Sequence, residues 1–444
     1  MESLSKEECR QLREKHVGES LNCHMWYRHD PLRIVRASGQ YMFDENGTRY
    51  LDCINNVSHV GHCHPGVVQA GIKQMPVLNT NHRFLYDELP TYAKRLVATM
   101  PEKLTACFLV NSGSEANDLA IRLARKVTKR FDLAVLNNAY HGQTFVLNEL
   151  RPKDRRDNKE DIPHVHMIPS PDVYRGKYRN CDYTEEELAE KYAGEVEETF
   201  KRAHEQGRDI AGFLIESIQC VGGQLVPPKG FLTKAYNITK KYGALFIADE
   251  VQSGFGRIGE HWWAFQIDGE GVTPDIVTMG KPMGNGHPVA GLVTTQEIGG
   301  ALSEGRAYFT TFGGNPVSCA IGLAVMDAIE KEKLMEHATT LGAYFKGRLQ
   351  DLQKKQPIIG DIRGMGLMVG VDLVKDQTTR EPATEEAKQI VNRLYEEKII
   401  FSRDGEHENV LKFKPPMCIT QEDIDYIINK FDMIFSEITS SWTN

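Results

Sequence analysis

Between residues 104 and 296 of this 444-residue chain, short apolar runs alternate with amphipathic stretches. The runs are ACFLV (106–110), LAVLN (133–137), AGFLIE (211–216), ALFIAD (244–249), DIVTM (275–279) and AGLVTT (290–295). Between them lie stretches with helical spacing, such as EANDLAIRLARKVT (115–128) and GFLTKAYNITKKYG (230–243). A strand buried on both faces reads as a continuous apolar run, and parallel neighbours need a crossover helix between them. The pattern therefore predicts an α/β fold with a mostly parallel, doubly covered sheet.

The flanks read differently. Residues 40–60, with QYMFDENGTRYLDCINNV, alternate and turn at Glu45-Asn46-Gly47, the mark of a hairpin. Residues 316–336 and 339–355 have the spacing of long helices. An alternating strand (364–374, GMGLMVGVDLV), a helix (384–397), a strand near 410–413 and a last helix (421–438) complete a smaller α+β unit. Residues 150–185 are polar and irregular and read as a surface excursion. The expected organisation is an N-terminal segment of the small domain (1–60), a large domain (61–310) and a C-terminal small domain with its linking helix (311–444).

Net charge is −8, which gives no electrostatic footprint for nucleic acid or an anionic membrane. No apolar run approaches the roughly 20 residues needed to span a bilayer. The N-terminus, MESLSKEECRQLREKH, mixes acids with bases and lacks the apolar stretch of a secretory signal. Nine scattered cysteines read as reduced thiols. A soluble intracellular protein is expected, in the cytosol on the N-terminus alone.

Four motifs sit at the ends of the predicted strands. NSGSEAN (111–117) opens a helix, where Gly113 and Ser114 can offer backbone N–H groups to a phosphate. AYHGQT (139–144) places the aromatic ring of Tyr140 in the same row of loops. ALFIADEVQSGFGR (244–257) ends an apolar strand in Asp249, where open α/β sheets bind ligands. DIVTMGKPMGNGHP (275–288) sets Lys281 at the end of a buried strand, in a turn of Gly and Pro. A solvated lysine needs no such setting. A fifth motif, SHVGHCHPG with His59, His62, Cys63 and His64, has no second cluster and is a poor zinc pattern; it reads as a loop packed near the site. No metal is expected. A phosphate cradle, an aromatic plate, an acid and a desolvated lysine together suit pyridoxal 5′-phosphate.

The sequence resembles the class III aminotransferases of fold type I over nearly its whole length. NSGSEAN, AYHG, ESIQCVGG, IADEVQSGFGR, MGKPMGNGHP and TFGGNPVSC carry the resemblance. It implies Lys281 as the Schiff-base lysine and Asp249 as partner of the pyridine nitrogen. Gln252 would lie near the ring hydroxyl, Tyr140 would stack, and Gly113 and Ser114 would hold the phosphate. Glu216, from ESIQCVGG, joins the cofactor site. Thr311 would reach the cofactor phosphate of a neighbouring subunit, so a homodimer or a dimer of dimers with shared sites is implied. The family also includes mitochondrial members.

Further segments, RGKYR and LKFKPPMC among them, resemble a subgroup of phospho-lyases. These eliminate phosphate from phosphorylated amines such as phosphoethanolamine or 5-phosphohydroxylysine. Two departures from the transaminase pattern agree with that. Ornithine-type members clamp a carboxylate with an arginine in a segment like IRFAPP; here Lys412 of VLKFKPPM stands at that position. They also carry a glutamate in EPIQGE; here ESIQCVGG has Val221. An ammonium cannot give the planar two-point grip of a guanidinium. Arg83 and Lys412 are the expected cations for a small phosphorylated amine, and an aminotransferase is the alternative.

Overall fold

The computed structural model describes residues 4–22, 30–81, 83–152, 160–303 and 307–440. Three N-terminal strands, β1 (Ile34–Ser38), β2 (Tyr41–Asp44) and β3 (Arg49–Asp52), form an antiparallel meander. The turn between β2 and β3 holds Gly47 at φ +81°, a conformation that glycine adopts without a Cβ penalty.

The central sheet uses β4 (Ala106–Val110), β5 (Asp132–Leu136), β6 (Val165–Ile168), β7 (Ile210–Glu216), β8 (Leu245–Asp249), β9 (Ile276–Met279) and β10 (Ala290–Thr294). Their spatial order is β4-β10-β9-β8-β7-β5-β6, with β10 alone antiparallel to its neighbours. β5, β7, β8, β9 and β10 are buried along their whole length, which is why they read as unbroken apolar runs. Helices Gly113–Thr128, Glu185–Glu205 and Phe231–Lys241 make the crossovers. The structure is the expected α/β fold.

The C-terminal strands are β11 (Ile359–Met365), β12 (Met368–Leu373), β13 (Ile399–Ile400), β14 (Ser402–Asp404) and β15 (Val410–Phe413). β13 pairs in parallel with β3 and joins the N-terminal meander, while the others form a sheet in the order β11-β12-β15-β14.

Two expectations need correction. The single strand predicted at 364–374 is the second half of a hairpin, turning at Gly366-Leu367. Gly366 takes φ +51° and Leu367 is buried, its N–H donating to the Arg257 carbonyl at 3.0 Å. A buried turn keeps the apolar pattern running through it and hides the reversal. The surface excursion predicted at 150–185 contains β6, which adds to the sheet edge beside β5. β6 is short and mostly half-buried, so VHMI lacks a strong apolar signature. Part of that stretch, 153–159, lies outside the described residues. Among the described residues no helix is long and apolar enough to cross a membrane, and the eight cysteines are free.

The β11–β12 turn docks on helix Leu334–Gln353, where a Cβ on Gly342 would meet the carbonyl of Gly366. Backbone cannot rotate away as a side chain can. Gly342→Ala is expected to lower the thermal midpoint, on the scale of about 1–3 kcal/mol for overpacking. An unchanged midpoint by differential scanning fluorimetry contradicts this packing.

Candidate active site

Adjacent strands deliver their last residues in register: Glu216 of β7 pairs with Asp249 of β8, and Asp249 with Thr278 of β9. Three polar side chains therefore stand in a row at the carboxyl edge of the sheet. Asp249 is 4% exposed. Its Oδ2 accepts from Asn117 Nδ2 at 2.8 Å and from His141 Nδ1 at 2.8 Å, and its Oδ1 accepts from the Val251 N–H at 3.0 Å. Asn117, on the helix after β4, also donates to the His141 carbonyl at 2.7 Å and accepts from Thr278 Oγ1 at 2.6 Å. Three hydrogen bonds from three segments fix the direction of the Asp249 carboxylate, and a fourth, from Thr278, ties Asn117 to β9.

The next residue does a different job, because alternate side chains leave a strand on opposite faces. Glu250 is fully buried and accepts from Ser217 Oγ (2.6 Å), Ser253 Oγ (2.7 Å) and the N–H groups of Ala264 and Phe265 (2.9 and 2.8 Å). It anchors the loop after β8; burial pushes its carboxyl above the ordinary range. Glu216 accepts from the Tyr140 N–H at 2.9 Å and the Cys220 N–H at 3.0 Å. It fixes the aromatic loop to the end of β7. Burial raises its pKa too, and the nearby Asp249 adds to that.

Helix Gly113–Thr128 begins beside this row, capped by Ser112 Oγ, which accepts from the Glu115 N–H at 3.1 Å. A Cβ on Gly113 would lie 2.7 Å from Val251 Cγ1, and one on Gly142 would run into Ser114 Oγ. Gly142 also takes φ +130°. Close approach and backbone geometry thus both require glycine around a helix start with free N–H groups, a cradle for an anion.

Lys281 follows β9 in a single turn, Lys281–Gly284. Burial lowers the pKa of its ammonium, and Asp249, Cys220 and Glu216 oppose that shift. More of the amine is then in its nucleophilic, unprotonated form. Asn285, just beyond, accepts from the Val60 N–H at 3.0 Å and donates to the Gly61 carbonyl at 2.8 Å. The SHVGHC loop therefore packs on the lysine turn. Its histidines have structural partners: His59 Nε2 lies 2.7 Å from the Phe255 carbonyl, His62 Nε2 2.7 Å from Asp52, and His64 Nε2 2.6 Å from Glu332.

One cavity is lined by Gly113, Ser114, Tyr140, Glu216, Asp249, Gln252 and Lys281, together with His141, Ile218 and Val251. Gln252 Oε1 accepts from Lys414 Nζ at 2.7 Å and from Asn56 Nδ2 at 3.3 Å. With its oxygen already accepting two hydrogen bonds, the amide has its N–H groups to offer a ligand. The donor set fits pyridoxal 5′-phosphate: an amine for the aldehyde, a carboxylate for a ring nitrogen, an amide donor for a ring hydroxyl oxygen and a helix start for the phosphate.

The aminotransferase class-III family description matches residues 24–435. The chain belongs to the class III aminotransferases. It is 50% identical to an alanine–glyoxylate aminotransferase 2-like protein of Drosophila melanogaster, over 97% of this chain and 87% of that one. It is 42% identical to ethanolamine-phosphate phospho-lyase homolog 1 of Caenorhabditis elegans, over 97% and 94%. Among solved structures it is similar to an Arthrobacter phospholyase in complex with phosphoethanolamine (TM-score 0.88, 34% identity, covering 96% of this chain and 99% of that one). The cofactor of this class III enzyme is pyridoxal 5′-phosphate.

Three expected residues lie apart from the cavity lining. Thr311 is exposed, as is Arg83. Lys412 Nζ pairs with Asp404 Oδ2 at 3.0 Å across β14 and β15. Four site residues escaped the sequence reading. His141 and Asn117 lay inside motifs valued for other letters. Thr278 carries no signal of its own. Lys414 stands two residues past Lys412, the spacing that puts both on one side of an extended chain. Behind the 216–223 segment, the charged lining of a second cleft is neutralised internally: buried Asp372 accepts from Arg175 Nε (3.0 Å), Arg363 (3.1 Å) and Asn409 Nδ2 (2.8 Å).

Asp249→Asn replaces an acceptor-only group with one that points N–H toward another donor. Turnover is expected to fall on the order of a hundredfold or more, the scale of losing preorganised charge at a reacting centre. The cofactor stays bound, since its other holders are unchanged. Steady-state kinetics with a cofactor absorbance reading checks both; a rate within a few-fold of wild type contradicts the role.

Proposed function

We propose that this chain is a phospho-lyase that eliminates phosphate from a small phosphorylated primary amine, with phosphoethanolamine as the preferred carrier. The observation that carries this reading is the fate of the carboxylate clamp. Where ornithine-type members place an arginine, Lys412 is tied to Asp404, and where they place a glutamate, Val221 offers only its backbone carbonyl, to the Gly405 N–H at 2.9 Å. A substrate without an α-carboxylate does not need the clamp. The 42% identity to a phospho-lyase homologue and the likeness to a phospholyase bound to phosphoethanolamine support the same reading.

The roles follow from the site. When bound, the cofactor supplies a pyridinium ring that accepts the electron pair left by deprotonation of the carbon bearing nitrogen. Asp249, held by Asn117 and His141, would keep the ring nitrogen protonated. Gln252 would donate to the ring hydroxyl oxygen, Tyr140 would cover the ring, and Gly113 and Ser114 would hold the cofactor phosphate. The Lys281 amine, its basicity lowered by burial, removes the proton from the substrate carbon. The bond from the next carbon to oxygen breaks, and phosphate leaves with that electron pair. Overall, one phosphoethanolamine and one water give acetaldehyde, ammonia and phosphate. Cations near the leaving oxygen stabilise its charge.

The apolar side chains of Val68, Ile72, Met75, Val77, Leu78, Phe84 and Leu85, together with Phe309 and Phe312, are exposed on one chain. They support a homodimer that covers these segments and lets Thr311 and Arg83 serve a neighbour's site. A second reading is amino-group transfer, as in an alanine–glyoxylate aminotransferase. The 50% identity to a relative of that name favours it, and Lys281 and Asp249 suit both reactions.

A substrate panel separates the readings. Phosphate release is followed from phosphoethanolamine and from 5-phosphohydroxylysine, and amino transfer from alanine to glyoxylate. Loss of a two-point clamp costs a transaminase on the order of tenfold to several hundredfold. Phosphate release from phosphoethanolamine is expected to exceed the other rates. Efficient transfer from alanine with no phosphate from either phosphorylated amine replaces the phospho-lyase reading with the aminotransferase one.

A further inference from the structure

We propose that Lys414 is the side chain that receives the phosphate group of the substrate, while Lys412 adds positive charge without touching it. This rests on the phospho-lyase reading above and names the residue that reading lacks.

Lys414 follows β15 directly, and its N–H donates to the Cys53 carbonyl at 2.8 Å, which pins the chain there. The residue is 2% exposed. Its Nζ donates to Gln252 Oε1 at 2.7 Å, and Gln252 lines the cavity that holds Lys281. An ammonium has three donors. Among the described residues no carboxylate pairs with this one. The nearby acid, Asp404, already accepts from Lys412 Nζ at 3.0 Å and from Gln224 Nε2 at 3.2 Å.

A buried cation without a counter-ion is unfavourable. Burial pulls the Lys414 ammonium down to about 8, and the positive charges of Lys412 and Lys281 push the same way. Other lysines at this depth would be excluded or paired. Here one is kept beside the cavity with donors to spare, so the missing counter-charge is best supplied by a ligand. A phosphate monoester carries close to two negative charges near neutral pH, against one for a carboxylate. It gains more from the same cation, and its oxygens can take the spare donors. As the carbon–oxygen bond breaks, charge grows on the phosphate, so the contact strengthens where it speeds the reaction.

Lys414 could instead serve only to orient Gln252, and the variants separate the two roles. Lys414→Met removes charge and donor. Lys414→Gln removes the charge but keeps a donor for Gln252. Each is compared with wild type and Lys412→Met as holoenzyme, so the cofactor already fills its own phosphate cradle. Three quantities are read: phosphate release from phosphoethanolamine, competitive inhibition by inorganic phosphate, and the visible spectrum of the cofactor. Both Lys414 variants are expected to lose on the order of tenfold to a hundredfold in kcat/KM and in affinity for inorganic phosphate. The Lys414→Gln spectrum stays that of wild type, and Lys412→Met loses less on both measures. The proposal is overturned if Lys414→Gln keeps wild-type phosphate inhibition, or if Lys412→Met shows the larger loss. If wild type releases phosphate from neither phosphorylated amine, the functional reading fails instead. Calorimetric titration of inorganic phosphate into the same holoenzymes then decides Lys414 alone: equal binding by wild type and Lys414→Gln overturns it.

Discussion

The contact of His141 and Asn117 with Asp249 is the constraint on which the rest of the site depends. A carboxylate taken from water loses several kcal/mol of hydration unless donors replace it. Here three donors do so, from the helix after β4, the loop after β5 and the turn after β8. Each of those segments also carries another part of the site. The helix presents Gly113 and Ser114, the loop presents Tyr140, and the turn presents Gln252. Fixing one charge at the end of a central strand therefore fixes the relative positions of the cradle, the aromatic plate and the amide donor. Thr278 extends the tie to β9, two residues after which the chain turns at Gly280 into Lys281.

Around that fixed centre the charges are unevenly matched. Asp249 and Glu216 act on the amine of Lys281 by favouring its charged form against burial. Lys412 has its own acid in Asp404, but among the described residues Lys414 Nζ has only an amide oxygen. An arginine clamp would offer a planar fork suited to a carboxylate. Point-charge ammonium groups suit a tetrahedral dianion without imposing that geometry. On the proposed reading the cofactor side of the family's site is kept, the substrate side is rebuilt, and reaction type is decided there.

The large sheet was legible because its inner strands are buried on both faces, so 133–137, 211–216 and 244–249 stand out as apolar runs. Asp249 and Lys281 were legible because each ends such a run in chemistry that a buried strand end does not otherwise need. The partners of Asp249 were not. Asn117 and His141 reach it from 132 and 108 residues away, and no local pattern encodes such a meeting. The reversal at Gly366 was hidden because its turn is buried against Arg257 and keeps apolar residues throughout. Lys414 looked like one more charge beside a proline pair. Its N–H meets the Cys53 carbonyl and its Nζ meets Gln252, tertiary events with no trace in KFKPP.

The central claim is that this site expels phosphate and regenerates itself, with no second substrate. The most direct measurement counts inorganic phosphate released per subunit from phosphoethanolamine in buffer free of any oxo acid. The account predicts many phosphates per subunit, with equal acetaldehyde and a cofactor spectrum that returns to its starting form. No phosphate, or an arrest after one conversion per subunit that an added oxo acid relieves, contradicts it.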